Sequence, residues 1–105
     1  MGRKVVVYTE DDHADYRHGN CANHARQALR DNGVEQAYQE PSGNYHLICN
    51  SGYDGHYDVV CHERDGRLIE DTAFQPKDGV LVSIIKWLFG KRAHRVDPER
   101  LSRFS

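Results

Sequence analysis

The chain has 105 residues, 38% of them hydrophobic and 29% charged. That length suits one domain, and the apolar content is too high for a disordered chain. Fourteen Lys and Arg against sixteen Asp and Glu give a net charge of −2, so no global basic field points to nucleic acid. Mean hydropathy is −0.80, and the longest strongly apolar stretch, Val80 to Phe89, carries Ser83 and Lys86 and is about half a bilayer span. No membrane span is expected.

The N-terminal MGRKVVVYTEDD places acidic residues where a secretory leader would have apolar ones. Three cysteines, an odd number, argue against a disulfide framework and fit a reducing compartment. A cytoplasmic protein is the expectation.

In chain order, residues 4–9 (KVVVYT) are β-branched and aromatic and predict a short buried strand. A polar loop over 10–20 ends in Gly19-Asn20, where Asn20 can cap the segment that follows. Cys21, Ala25, Ala28, Leu29 and Asn32 recur at helical spacing and Gly33 supplies a stop, which predicts a helix over 21–32. Strands are then predicted at Gln36–Gln39 and Tyr45–Cys49. Asp65-Gly66 between two extended runs predicts a hairpin of His56–Glu63 with Arg67–Asp71. On its first strand Tyr57, Val59 and Cys61 share one face, and His56, Asp58, Val60 and His62 the other. A second helix is expected over Val80 to Phe89, opened by Pro76-Lys77-Asp78-Gly79 and stopped by Gly90, with Val80, Leu81, Ile84, Ile85 and Leu88 facing the core. Residues 91–105 carry five basic residues against two acidic ones, net +3, leaving −5 on residues 1–90. A solvated basic tail is the expectation, and a contact surface for something acidic the alternative.

Cys21, in the first turn of the predicted helix, is the candidate nucleophile. Unpaired N–H groups and the helix dipole there stabilise a thiolate and point where an oxyanion would develop. His56 is the candidate base and Asp71 the candidate orienting acid. In a regular two-residue hairpin Asp71 lies closer to Val60 than to His56, so their meeting needs a bend or a bulge. His46 and His62 are further candidate bases. Cys49 and Cys61 read as small core residues.

The stretches RHGNCANHARQALRDNGV (17–34) and GHYDVVCHERDGRLIEDT (55–72) resemble the nucleophile helix and the His and Asp strands of the transglutaminase-like branch of papain-fold cysteine peptidases. The order and intervals of Cys21, His56 and Asp71 resemble those of bacterial transglutaminase-like cysteine proteinases. The resemblance covers about residues 17–75. It implies an α+β, papain-like (transglutaminase-like) core, with an N-terminal Cys-bearing helix packed on a small antiparallel sheet and a C-terminal amphipathic helix. Residues 1–90 would form the peptidase domain and 91–105 the tail. It further implies acyl transfer or hydrolysis of a peptide or isopeptide amide by a Cys21–His56–Asp71 triad, on a protein or peptide substrate and without a cofactor. Asn20 and Tyr16 are candidates for a second oxyanion donor or a substrate contact. Asn20, Ala22 and Asn23 stand where family members are often acidic, so no calcium site is carried over.

Three rival readings follow from the same residues. His13, His18, Cys21 and His24 have ligand-type side chains, but no CxxC pair accompanies them, and zinc competes with a nucleophilic Cys21. A glutaredoxin-like site would need its cysteine directly after the first strand, and eleven residues separate Thr9 from Cys21. The third is a non-catalytic protein-binding module on a papain-like scaffold, acting through its apolar helix and basic tail. Residues 80–89 are then the surface for a partner or for self-association.

Overall fold

The computed structural model describes residues 3–8, 24–52, 55–75 and 80–104. Six strands form one sheet: β1 (Val7–Tyr8), β2 (Gln36–Gln39), β3 (Tyr45–Asn50), β4 (His56–Arg64), β5 (Arg67–Phe74) and β6 (His94–Val96). Their spatial order is β1-β5-β4-β3-β2-β6. β2 to β5 run as an antiparallel meander, β1 lies parallel to β5, and β6 pairs antiparallel with β2. Helix α1 (24–32) packs on one face of the sheet and α2 (Leu81–Gly90) on the other.

This mixed six-stranded sheet corrects the papain-like (transglutaminase-like) expectation of an N-terminal helix on a small antiparallel sheet. Local patterning identified β1 to β5 but not β6, which falls in the segment expected to be a tail, and it carried no information on which strand β1 would join. The parallel β1–β5 pairing, Val7 opposite Leu68 and Tyr8 opposite Ile69, is a non-local choice.

Two cores follow from strand alternation, because cross-strand partners share a face. Ala37, Leu47 and Val59 face α1, where Ala25, Ala28 and Leu29 close over them with Tyr57, Cys49 and Cys61. Tyr38, Ile48 and Ala93 face α2 and pack with Ile84 and Leu88. The expected core positions Ile84 and Leu88 are buried and Leu81 packs against them, whereas Val80, Val82, Trp87 and Phe89 are exposed.

Helix α1 stops at Gly33, whose φ of 78° lets its N–H return to the Leu29 carbonyl at 2.9 Å. The Asp65-Gly66 turn has both residues at positive φ, 56° and 78°, as a two-residue hairpin of matching twist requires. The second helix ends differently from expectation. Gly90 is its last residue, and the left-handed position falls on Arg92 at φ 59°. The Arg92 and Ala93 N–H groups still reach the Phe89 and Leu88 carbonyls, so the exit is hydrogen-bonded without glycine.

The basic segment is part of the fold rather than a solvated tail. β6 extends the sheet beside β2, and a 3₁₀ helix (Pro98–Arg103) buries Leu101 and, just beyond it, Phe104 against the α1 face. The Phe104 ring meets Tyr45 edge-on, centroids 5.7 Å apart. Among the described residues no helix is long and apolar enough to cross a membrane.

Candidate functional site

A strand covered on both faces is expected to be apolar throughout, and β3 and β4 break that rule at two places. His46 is fully buried and Asp58 is 1% exposed. They belong to the α2 face, His46 opposite Val60 and Asp58 opposite Ile48, so both polar side chains lie beneath that helix. His46 Nδ1 lies 2.8 Å from Asp58 Oδ2, and His46 Nε2 lies 2.6 Å from Glu40 Oε2. Glu40 is set by the β2–β3 turn. Its N–H donates to the Asn44 carbonyl and its own carbonyl accepts from Gly43, which at φ 103° takes a conformation open to glycine.

The proton count of this chain of groups is fixed by its geometry. A hydrogen-bonding proton must lie between the ring and each carboxylate, so three groups share two protons and carry net −1 wherever the protons sit. Burial works against an imidazolium at His46, but Asp58 and Glu40 outweigh it and move its pKa above 6.5. Burial likewise pushes the Asp58 carboxyl up, against the lowering effect of His46. Both shifts have one sign: the folded network holds its protons more tightly than the unfolded chain does.

The consequence for stability follows directly. The His46 contribution is fully present below the unfolded value of 6.5 and is lost as pH rises through the folded pKa. Urea unfolding across a pH series should show stability falling from about pH 6.5 upward. In His46→Gln that part of the slope should vanish; an unchanged slope would exclude this origin.

One atom of the network is left over. Asp58 Oδ1 is buried and, among the described residues, is the side-chain N or O atom left without a hydrogen-bond partner. Such a group costs about 1–3 kcal/mol and asks for an explanation. Asp58 lines a cavity of about 220 Å³ between α2 and the β4–β5 edge, walled by Phe74, Ile84 and Trp87, with Gln75 and Ser83 beside them. The Phe74 and Trp87 rings stand 5.8 Å apart. The Lys91 ammonium lies 4.4 Å from the centroid of Trp87, so that ring already accepts a cation.

The sequence-predicted triad residues take other partners. His56 Nε2 meets Glu35 Oε2 at 2.9 Å. Asp71 meets His62 Nδ1 at 2.9 Å. The bulge that a His56–Asp71 meeting would need is present, between Val60 and Cys61, but it leaves Asp71 as the extra residue of β5, with its side chain on His62 rather than His56. His56 stands on the α2 face, as the alternation predicted, and α1 covers the other. Cys21, Asn20, Tyr16, His13 and His18 lie outside the described residues. Cys49 and Cys61 are buried, and burial pushes the Cys49 thiol up to about 12 and the Cys61 thiol up as well. Neither is an activated nucleophile. Among the described residues no group of three or more His, Cys, Asp or Glu side chains is arranged to hold a metal.

No protein-family model, no curated protein and no solved structure matches this chain.

Proposed function

We propose that the protein is a binding module for a basic side chain of a partner peptide or protein, taken into the cavity between α2 and the β4–β5 edge. The observation that carries this reading is the unpaired Asp58 Oδ1 in the wall of an otherwise apolar cavity. An alkylammonium or guanidinium on an apolar stem satisfies every feature of that cavity. Its stem packs on Phe74, Ile84 and Trp87, and its N–H donates to Oδ1 while neutralising the network's net negative charge. The Asp58 proton is shared through Oδ2 with the His46 ring, on whichever of the two it sits, so Oδ1 stays an acceptor. Exposed Val82, Trp87, Phe89 and Phe74 on α2 and β5 suit a peptide backbone or an apolar neighbour better than a free amine alone.

This reading keeps, from the non-catalytic alternative drawn from the sequence, the binding role of the apolar helix, without the papain-like scaffold or a free basic tail. Thiol-dependent acyl transfer would require His56 to leave Glu35 and Asp71 to leave His62.

Calorimetric titration with n-butylammonium, with a lysine-containing peptide and with neutral n-butanol tests the proposal. The ammonium and the peptide should bind and the alcohol should not. Asp58→Asn, which keeps the shape and removes the charge, should weaken both cationic ligands about ten- to a hundredfold, the worth of a charge-assisted hydrogen bond. Equal binding of n-butanol, or equal affinity in Asp58→Asn, would refute the role of the carboxylate.

A further inference from the structure

A second cleft, on the opposite face of the sheet, is independent of the cation site. It has a volume of about 390 Å³ and opens between β6 and the 3₁₀ helix. Arg95, Arg100, Arg103 and His94 line it, with Tyr45 and Leu101 among its other walls and no carboxylate among the described residues.

Among the described residues, the two carboxylates of the 91–105 segment are engaged elsewhere, and Glu63 approaches Arg103 alone. The Asp97 carboxylate accepts from the Glu99 N–H at 3.0 Å and so caps the 3₁₀ helix. Glu99 in turn pairs with Arg3 at 3.4 Å. Arg103 is positioned by three contacts: it donates to the Tyr45 hydroxyl at 3.2 Å, lies 4.7 Å from the Phe104 ring centroid, and has Glu63 at 4.0 Å. Arg95 and Arg100 form no ion pair among the described residues. Arg100, without an ion pair among the described residues, and Arg103, held over the Phe104 ring, thus share one concavity, whereas Arg95 lies opposite Tyr38 and reaches the cleft only from the β6 edge.

We propose that this cleft binds an organic phosphate, a phosphate monoester whose phosphoryl group is taken by Arg100 and Arg103. Guanidinium groups match phosphate oxygens in paired N–H···O geometry, which a diffuse lysine patch does not. The volume exceeds what a bare phosphate fills, and Val96, with Leu101 and Tyr45 behind it, offers apolar surface to the ester's organic part. The chain's overall charge of −2 makes this local concentration of positive charge an exception rather than part of a general basic surface.

The test is a titration of the full ¹⁵N-labelled chain with phenyl phosphate, followed by amide shifts, with inorganic phosphate and benzoate in parallel. Saturable shifts confined to 94–104 and Tyr45 are expected, with phenyl phosphate tighter than inorganic phosphate and benzoate inert. Arg100→Gln, an exposed substitution with no bond to lose in the fold, should weaken phenyl phosphate about tenfold, the worth of one charge-assisted contact. Shifts that fail to saturate at millimolar ligand would overturn the proposal. So would shifts spread over all basic residues, or an affinity unchanged in Arg100→Gln.

Discussion

Replacing His46 by alanine should lower the unfolding free energy by about 3–5 kcal/mol, the cost of breaking a buried charge pair by removing one partner. The substitution does more than open a void. It leaves Asp58, 1% exposed and already carrying one unpaired oxygen, with no hydrogen bond to either. It also strips Glu40 of its 2.6 Å partner at the turn. Two carboxylates that shared protons with an imidazole would then face each other across an apolar gap, and one of them must take up a proton on folding. The expected signature is a large loss at neutral pH that shrinks in acid, where protonation removes the uncompensated charge. Urea unfolding at pH 5 and pH 8 measures it. Replacing the network together, His46→Leu with Asp58→Leu and Glu40→Gln, should recover most of the loss, because apolar substitutes for a complete buried ionic group are often neutral or better. A single variant that loses under about 1 kcal/mol would mean that the three groups are not coupled. If the triple variant is stable yet takes up no n-butylammonium, the network is kept for binding rather than for folding.

The sequence carried β1 to β5 and the two α-helices well, because each is a local pattern, and missed β6 and the 3₁₀ helix. Apolar alternation marked β4, the Asp65-Gly66 pair marked its hairpin, and Gly33 marked the end of α1. It carried much less of the architecture. The attachment of β1 beside β5 and of β6 beside β2 depends on contacts between residues some sixty apart, and no periodicity encodes them. The basic composition of 91–105 suggested a solvated tail. The apolar residues that dock it, Ala93, Val96, Leu101 and Phe104, are too few and too irregularly spaced to register as a pattern among arginines.

The candidate site was legible in part. His46 was visible as a histidine within an apolar strand run, and Asp58 as a carboxylate on the face shared with His56, Val60 and His62. What was missing was register. Once Ile48 is set opposite Asp58, His46 lies two residues along the same face of the neighbouring strand, within reach of the carboxylate. A histidine and an aspartate in adjacent strands that are covered on both sides are the signal, and the resemblance drew attention instead to Cys21, His56 and Asp71. Alternation groups His56 with Asp58 and Val60, and the packing of α1 on the Tyr57 and Val59 side puts that group on the face away from α1.

Leu88→Ala should separate the two cores of this small sheet. Leu88 is 1% exposed and, with Ile84, supplies the buried apolar contacts by which α2 holds the Tyr38, Ile48 and Ala93 surface. Truncating a buried leucine costs about 2–5 kcal/mol. The α1 face, with Leu47, Val59, Leu68 and Leu101, does not depend on it. The loss should therefore appear first as local release of α2, with amide exchange rising over 81–90 while β3, β4 and β5 keep their protection. Release of the helix lets water reach Asp58 Oδ1, which removes the reason for that oxygen to seek a ligand. Affinity for n-butylammonium should fall even where the sheet remains folded. Phe89→Ser is the matched control. Phe89 is 69% exposed on the same helix, and its substitution should change stability by no more than about 0.5 kcal/mol. If Leu88→Ala raises exchange equally across β3 to β5, the two faces form one cooperative unit and the cation site cannot be uncoupled from the fold. If exchange rises only in α2, the helix is a separately stable cover whose docking energy sets how tightly a basic side chain can be held beneath it.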